Sequence, residues 1–157
     1  MDSANLNMLI EMAKTARDAA ATRCAQARVQ VEQARQQLDL LRGYVREYDK
    51  RSIATLQQGG IDLAAQTNLR SFVAKLARAV EIQQTTVAQR EAALASAEGE
   101  LIQMRMRLGS LEKLAARQEL SEQNKARRRE QQATDEMAGR VRRNTGFGAN
   151  HLVTSDW

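Results

Sequence analysis

The chain offers few side chains that could do covalent or metal chemistry. It has a single histidine, His151, and a single cysteine, Cys24, whereas nucleophilic catalysis and metal binding need such groups in clusters. The sequence contains no phosphate-binding glycine loop and no serine–histidine–aspartate pattern. Cys24 lies on an apolar stripe, where a cysteine usually packs as a small hydrophobic residue. We therefore predict that the protein is not an enzyme and holds no cofactor and no metal.

The aromatic side chains are concentrated at one place. The chain has two tyrosines, two phenylalanines and one tryptophan. Tyr44 and Tyr48 are spaced one helical turn apart, and Phe72 follows after a short interval. Exposed rings gathered in this way often form the centre of a protein interface. The same rings could instead close the end of a coiled coil as an apolar plug, and both interpretations stay open at this point.

The charge of the chain favours helices that face water. Its 24 basic and 19 acidic residues give a net charge of +5, and the two signs are mixed along the sequence. Mixed charge is typical of solvated helix faces, although a basic chain also suits an acidic protein, an anionic membrane or nucleic acid. The basic run Arg127, Arg128 and Arg129 has no aromatic residue within it and has acidic neighbours. We therefore predict no nucleic-acid binding.

Hydrophobic residues recur every seven positions on both sides of Gly59 and Gly60. Each half shows two tracks offset by three or four residues, which are the a and d positions of a coiled coil with a left-handed supercoil. Before the glycines, one track is Leu6, Ala13, Ala20, Ala27, Ala34, Leu41 and Tyr48, and the other is Ile10, Arg17, Cys24, Val31, Leu38 and Val45. After the glycines, one track is Val73, Val80, Val87, Leu94, Leu101, Leu108 and Ala115, and the other is Leu69, Leu76, Gln83, Arg90, Ala97, Met104 and Leu111.

These patterns predict an all-α fold, a long two-helix antiparallel coiled-coil hairpin. Adjacent glycines break a helix, and Asp62 is a suitable N-cap for the helix that follows. The hairpin is predicted to occupy residues 1–138, with helices at about 5–57 and 62–138 and a turn at about 58–61. The second helix overhangs the first. Residues 139–157 lack periodicity and are predicted to form a disordered C-terminal tail.

The predicted register places four alanines of the first helix opposite larger residues of the second. Such alternation keeps the volume of the seam constant and lets two helices approach closely. Tyr48 falls on the seam opposite Val73, whereas Tyr44 and Phe72 flank it. Gln83 and Arg90 are polar seam residues that we expect to fix register or line an edge. The facing pairs are Ala34 with Val87, Ala27 with Leu94, Ala20 with Leu101, Ala13 with Leu108, Cys24 with Ala97, and Ile10 with Leu111.

The sequence also favours a location in the cytoplasm. The start "MDSANLNMLIEMAK" lacks the basic and apolar regions of a signal peptide. No apolar stretch approaches the roughly 20 residues that a membrane span needs. A lone cysteine gives no sign of an oxidising compartment. We therefore predict a cytoplasmic protein without a membrane span.

The segments "QLDLLRGYVREYDKR", "NLRSFVAKLARAVEIQQ" and "RLGSLEKLAARQE", in this order around a glycine turn, resemble the FliJ family of bacterial flagellar export proteins. The resemblance covers about residues 6–130. It implies a stalk and adaptor of the flagellar type III export apparatus, which enters the ring of the export ATPase FliI and contacts the export gate FlhA. It also implies the handling of export chaperones, contact with FliH, and a monomeric hairpin at the inner membrane beside the flagellar basal body.

The resemblance also assigns residues to these contacts. Arg127, Arg128 and Arg129 become the candidates for contact with the ATPase ring. The candidate tip surface for the export gate is Gln37, Leu41, Tyr44, Tyr48, Phe72, Leu76, Ala79 and Gln83.

Three alternatives remain open from the sequence. The stalk of a virulence type III injectisome shares this architecture. A generic structural coiled coil would form a symmetric dimer and leave its tip without a partner. A nucleic-acid-binding coiled coil would bind DNA with a strong dependence on salt.

Overall fold

A computed structural model describes residues 3–59 and 62–146. Two helices, α1 (Ser3–Gln57) and α2 (Leu63–Gly146), account for nearly all of this part of the chain, in which there is no strand. The two helices are 55 and 84 residues long and pack against each other. The prediction of an all-α protein built from two long helices is confirmed.

The chain divides into two compact units. Residues 9–108 form one unit, and among the described residues the other comprises 3–8 and 109–146. The first unit holds the end of α1, the start of α2 and both hydrophobic clusters described below. In the second unit Leu6 is buried and borders a shallow hollow together with Asn7 and Ala115.

The turn between the helices begins at a glycine. α1 ends at Gln57, and the Gln58 amide donates to the carbonyl of Ala54 at 3.2 Å. Gly59 then has a φ of 68°, in the left-handed region where glycine is favoured because it has no Cβ. The predicted helix break is thereby confirmed at Gly59, while Gly60 and Ile61 lie outside the described residues.

Asp62 caps the start of α2 as predicted. Its Oδ1 accepts a hydrogen bond from the amide of Ala64 at 3.1 Å, and its carbonyl accepts the first helical bond from Gln66 at 3.0 Å. This geometry satisfies one of the amide donors that have no partner inside the first turn of a helix. The helix itself begins one residue later, at Leu63.

The predicted end of α2 at residue 138 requires correction. The helix continues through residues 139–146, where Thr145 Oγ1 donates to the carbonyl of Val141 at 3.0 Å. Loss of the heptad pattern ends the buried seam but does not end a helix, because backbone hydrogen bonds need no burial and the chain has no proline. Arg143 also lies in the last turn, where a cation is favoured by the helix dipole. The rest of the predicted tail, 147–157, is outside the described residues, as is His151.

The seam of the first unit follows the predicted tracks. One cluster contains Ala20, Cys24 and Leu101, with Leu94, Ala97 and Met104 packed against it. A second contains Ala34, Leu38 and Val87, with Val80 packed against it. The small–large pairs Ala20 with Leu101 and Ala34 with Val87 therefore share clusters, as the register required. Every buried hydrophobic residue in the described part of the chain belongs to a predicted track.

Ion pairs between the two helices flank this seam. Arg23, Arg28 and Arg35 of α1 reach Glu100, Glu98 and Glu91 of α2, at 2.6, 3.2 and 2.7 Å respectively. Glu91 accepts hydrogen bonds from both Nε and Nη2 of Arg35, and these bonds, followed by the charge of Glu91, raise the pKa of Arg35 above its ordinary value. In this set arginine comes from α1 and glutamate from α2, so the charges favour pairing of α1 with α2.

Candidate interaction surface at the turn end

Two of the three clustered rings pack on each other across the helices. The ring centroids of Tyr48 and Phe72 are 4.6 Å apart and their planes are tilted by 55°, a favourable geometry for an aromatic pair. The guanidinium carbon of Arg51 lies 5.5 Å from the centre of the Tyr48 ring, within range of a cation–π contact. Tyr48 is half-buried, as its seam position predicted, while Phe72 keeps 41% of its surface exposed. This pair joins the two helices at the turn end of the hairpin.

The third ring, Tyr44, is more exposed than either ring of this pair. It is 51% exposed, and Leu40, one turn earlier on α1, is 62% exposed. Both border a shallow groove with Gly43 between them, and Gln36, Asp39 and Glu47 complete its lining. Leu40 and Gly43 were not among the predicted tip residues, because that prediction carried over the tip surface of the family and considered no other exposed position of α1. The spacing of 40, 43, 44 and 47 along one helix face was the signal that could have found them.

The other residues of the predicted tip differ in exposure. Leu41 and Ala79 are half-buried. Leu76 is 9% exposed and belongs to the buried core. Leu76 can therefore support a surface from beneath but presents little area to a partner.

Gln37 and Gln83 bridge the helices by hydrogen bonds. Gln83 Nε2 donates to the backbone carbonyl of Ala34 at 3.0 Å and to Oε1 of Gln37 at 3.2 Å. The expected role of Gln83 in fixing register agrees with this geometry. Arg90, the other polar seam residue, is exposed and donates from Nη1 to Gln30 Oε1 at 3.0 Å, so it spans the edge of the seam.

Comparison with protein families settles which group of coiled coils this hairpin falls into. The family model described as Flagellar FliJ protein matches residues 2–146. The chain belongs to the flagellar FliJ protein family. It is thus related to the stalk proteins of flagellar export, and the resemblance predicted from the tip segments is confirmed. Comparisons with curated proteins and with solved structures give no match.

The three consecutive arginines of this FliJ-family protein do not form one surface. Arg127, Arg128 and Arg129 are all exposed on α2, and successive helical residues point about 100° apart. Arg128 borders a shallow hollow that also involves Arg117 and Lys125, on one face of the helix. Arg129 lies nearer Glu122, whose pKa it helps to lower.

Neither helix, over its described length, contains a stretch apolar and long enough to span a bilayer. Across residues 3–59 and 62–146, histidine, cysteine, aspartate and glutamate form no group of three or more that could hold a metal ion.

Proposed function

We propose that this FliJ-family protein is a non-enzymatic stalk and adaptor of the flagellar type III export apparatus, and that its turn end docks on the cytoplasmic domain of the export gate FlhA. The exposed Tyr44 carries the proposal. A tyrosine that is half exposed beside an exposed leucine makes an apolar patch of the kind found at interface centres. The family match supports the flagellar assignment over the injectisome alternative.

Exposure divides the proposed gate-binding tip into two roles. Tyr44, Phe72 and Gln37 are exposed and make direct contact with the gate. The half-buried or buried members hold these side chains in place through the ring pair and the seam. They are Leu41, Tyr48, Leu76, Ala79 and Gln83.

The second proposed contact is with the ring of the export ATPase FliI. Residues 119–145 of α2 are exposed apart from the half-buried Gly139, so their side chains are available to a partner. Arg127, Arg128 and Arg129 supply positive charge in three directions around the helix. Electrostatic contact of this kind attracts an acidic ring lining without locking the helix in one orientation.

The remaining assignments follow from the same role. The protein works in the cytoplasm, peripherally at the inner membrane beside the flagellar basal body, and contributes to motility. It receives export chaperones and contacts FliH. It acts as a monomeric hairpin, since the arginines of α1 find glutamates on α2 of the same chain.

The docking proposal is tested by measuring binding to the purified cytoplasmic domain of the export gate. Tyr44→Ala should weaken binding by at least tenfold and impair motility, because truncation of a central interface aromatic typically costs about 2 kcal/mol or more. The matched control is Ile102→Ala on α2, whose side chain is similarly exposed. Equal affinities for wild type and Tyr44→Ala would reject the tip as the docking surface.

The ring proposal is tested by the stimulation of ATP hydrolysis by the purified export ATPase. Replacing Arg127, Arg128 and Arg129 with glutamine should reduce stimulation while the helical circular dichroism is retained. Replacing Arg140, Arg142 and Arg143 with glutamine removes the same charge from the same helix and serves as control. An equal loss in both triple variants would contradict the assignment to 127–129.

The monomeric hairpin is tested by crosslinking. In a Cys24→Ala background, cysteines at Ala27 and Leu94 should form a disulfide within one chain, because facing seam positions meet the distance that a disulfide needs. Products should run as monomers on non-reducing gels. Disulfide-linked dimers as the main product would instead indicate a coiled coil formed between chains.

A further inference from the structure

The groove beside Tyr44 has a glycine at its centre. Leu40, Gly43, Tyr44 and Glu47 have the i, i+3, i+4, i+7 spacing of the four residues that form a hole for a side chain of another helix. Gln36 and Asp39 extend the lining by one turn. With no Cβ at residue 43, the space between the leucine and tyrosine side chains stays open.

Neither the backbone nor the packing of the hairpin requires this glycine. Among the described residues only Gly59 is a glycine with positive φ. A Cβ built at Gly43 would have as its neighbour the Nη2 atom of Arg46, at 4.0 Å. Alanine would therefore fit, and it would favour the helix more than glycine does. The glycine therefore lowers helix stability, and it leaves an opening on the outer surface of α1.

We propose that this opening receives an apolar side chain from a helix of the export gate, so that Leu40 and Gly43 extend the contact made by Tyr44. The inference rests on the proposed docking of the turn end and adds the class of segment that binds there. A knob held between Leu40 and Tyr44 would cover two side chains that are 62% and 51% exposed. The absence of a Cβ lets the two helix backbones approach closely.

The rim of the groove indicates what flanks that apolar side chain. The nearest side-chain atom to a Cβ at Gly43 is Nη2 of Arg46, at 4.0 Å, and the charged residues that line the groove are Asp39 and Glu47. Their carboxylates pair with Arg42 at 4.0 Å and Arg51 at 2.6 Å, but exposed pairs along one helix contribute little and exchange readily. The fitting partner is thus an amphipathic helix with a basic residue beside its apolar knob.

The experiment compares Gly43→Ala with Gly99→Ala, using the purified cytoplasmic domain of the export gate as the probe. Gly99 is also a helical glycine, and a Cβ there would meet nothing within 4 Å. Both variants should raise the melting temperature, since alanine is the better helix former. Only Gly43→Ala should weaken binding, by about fivefold or more, because its methyl group fills the hole. An affinity within twofold of wild type would overturn the proposal.

Further variants separate this inference from the proposed function. Leu40→Ala should weaken binding, and the exposed Ile102→Ala should not. If wild type binds and Tyr44→Ala loses binding while Gly43→Ala and Leu40→Ala bind normally, the groove is rejected and the docking tip stands. If wild type does not bind the gate, both are rejected. Self-association that disappears in Gly43→Ala would reassign the groove to a second copy of this chain.

The proposed basic residue of the partner helix is tested by measuring gate binding at two salt concentrations. Asp39→Asn should weaken gate binding more at low than at high ionic strength, because salt screens the lost attraction. A loss that is the same at both ionic strengths, or no loss at all, would contradict the basic neighbour.

Discussion

The middle of the hairpin and the distal stretch of α2 are both continuous helix, yet different interactions hold them. Around Ala20 and Leu101 the helices share a buried cluster, and ion pairs such as Arg23–Glu100 link one helix to the other. In residues 119–145 the side chains are exposed, and the ion pair found there, Lys125–Glu122, links positions three apart on the same helix. The first region is stabilised by burial and the second by local helix propensity.

This difference explains why the two regions suit different tasks. A buried small–large seam holds the two helices close together, and the hydrogen bonds of Gln83 to Ala34 and Gln37 fix their register. A helix stabilised only by its own turns keeps its surface free for contact with other proteins. Arg127–Arg129, which we propose to contact the ring of the export ATPase, lie in this second kind of helix.

The largest expected effect comes from removing a seam leucine. Leu101→Ala should lower the free energy of unfolding by about 2 kcal/mol or more, since it deletes buried methyl groups and leaves a cavity. The residues clustered with it, Ala20 and Cys24, are too small to fill that space. Urea unfolding followed by far-ultraviolet circular dichroism measures the change.

Leu120→Ala is the control for this comparison. Leu120 is 58% exposed within the distal stretch, so its truncation should change stability by about 0.5 kcal/mol or less. Similar losses in the two variants would show that the distal stretch is also held by burial against a partner.

Most of the fold could be predicted because the seam residues recur with a regular heptad spacing. A residue such as Val87 or Leu38 needs no knowledge of its neighbours to be assigned to the core, since its place in the heptad suffices. The end of α2 was missed for the opposite reason: residues 139–146 have no apolar period, and a helix that buries nothing leaves no hydrophobic pattern to read.

The candidate site was harder to predict than the fold. The ring contact of Tyr48 with Phe72 depends on side-chain directions, which the heptad positions alone did not specify. The groove at Gly43 depends on the absence of a Cβ atom, and another helical glycine, Gly99, stands in open space without lining such a groove, so a glycine in the sequence does not by itself indicate one. Sequence patterns identify which residues face inward far better than they identify which outward residues matter.

The ring pair gives the next largest effect. Tyr48→Ala and Phe72→Ala should each lower the melting temperature, and a double-mutant cycle should give a coupling of about 0.5–1.5 kcal/mol, the range for aromatic pairs. Tyr44→Ala should leave the melting temperature near that of wild type, because the ring is half exposed. If Tyr44→Ala destabilised the hairpin as much as Tyr48→Ala, the three rings would act together as a plug.

Reversing a charge in an ion pair between the two helices should change the melting temperature less than removing a ring of the aromatic pair. Arg35→Glu should lower the melting temperature by placing a carboxylate beside Glu91, and the exchange Arg35→Glu with Glu91→Arg should restore it. Arg127→Glu in the distal stretch is the control and should change the melting temperature less. Thermal unfolding at low and high salt measures these effects. If the double exchange did not restore the melting temperature, the Arg35–Glu91 ion pair would not contribute to the pairing of α1 with α2.

The smallest effect concerns a single carboxylate in the distal stretch. The hydrogen bond from Lys125 to Glu122, 2.9 Å long, lowers the pKa of Glu122, and the charges of Lys125 and then Arg129 add to it. Because the folded pKa lies below the ordinary value, this pair stabilises the helix above the ordinary glutamate pKa, and the contribution is lost as pH falls through the folded pKa. Lys125→Met should therefore raise the pKa of Glu122 clearly, and Arg129→Met should raise it less. Titration of the Glu122 carboxyl carbon by NMR measures both, and an unchanged pKa in Lys125→Met would mean that the local pair contributes nothing to the helix in solution.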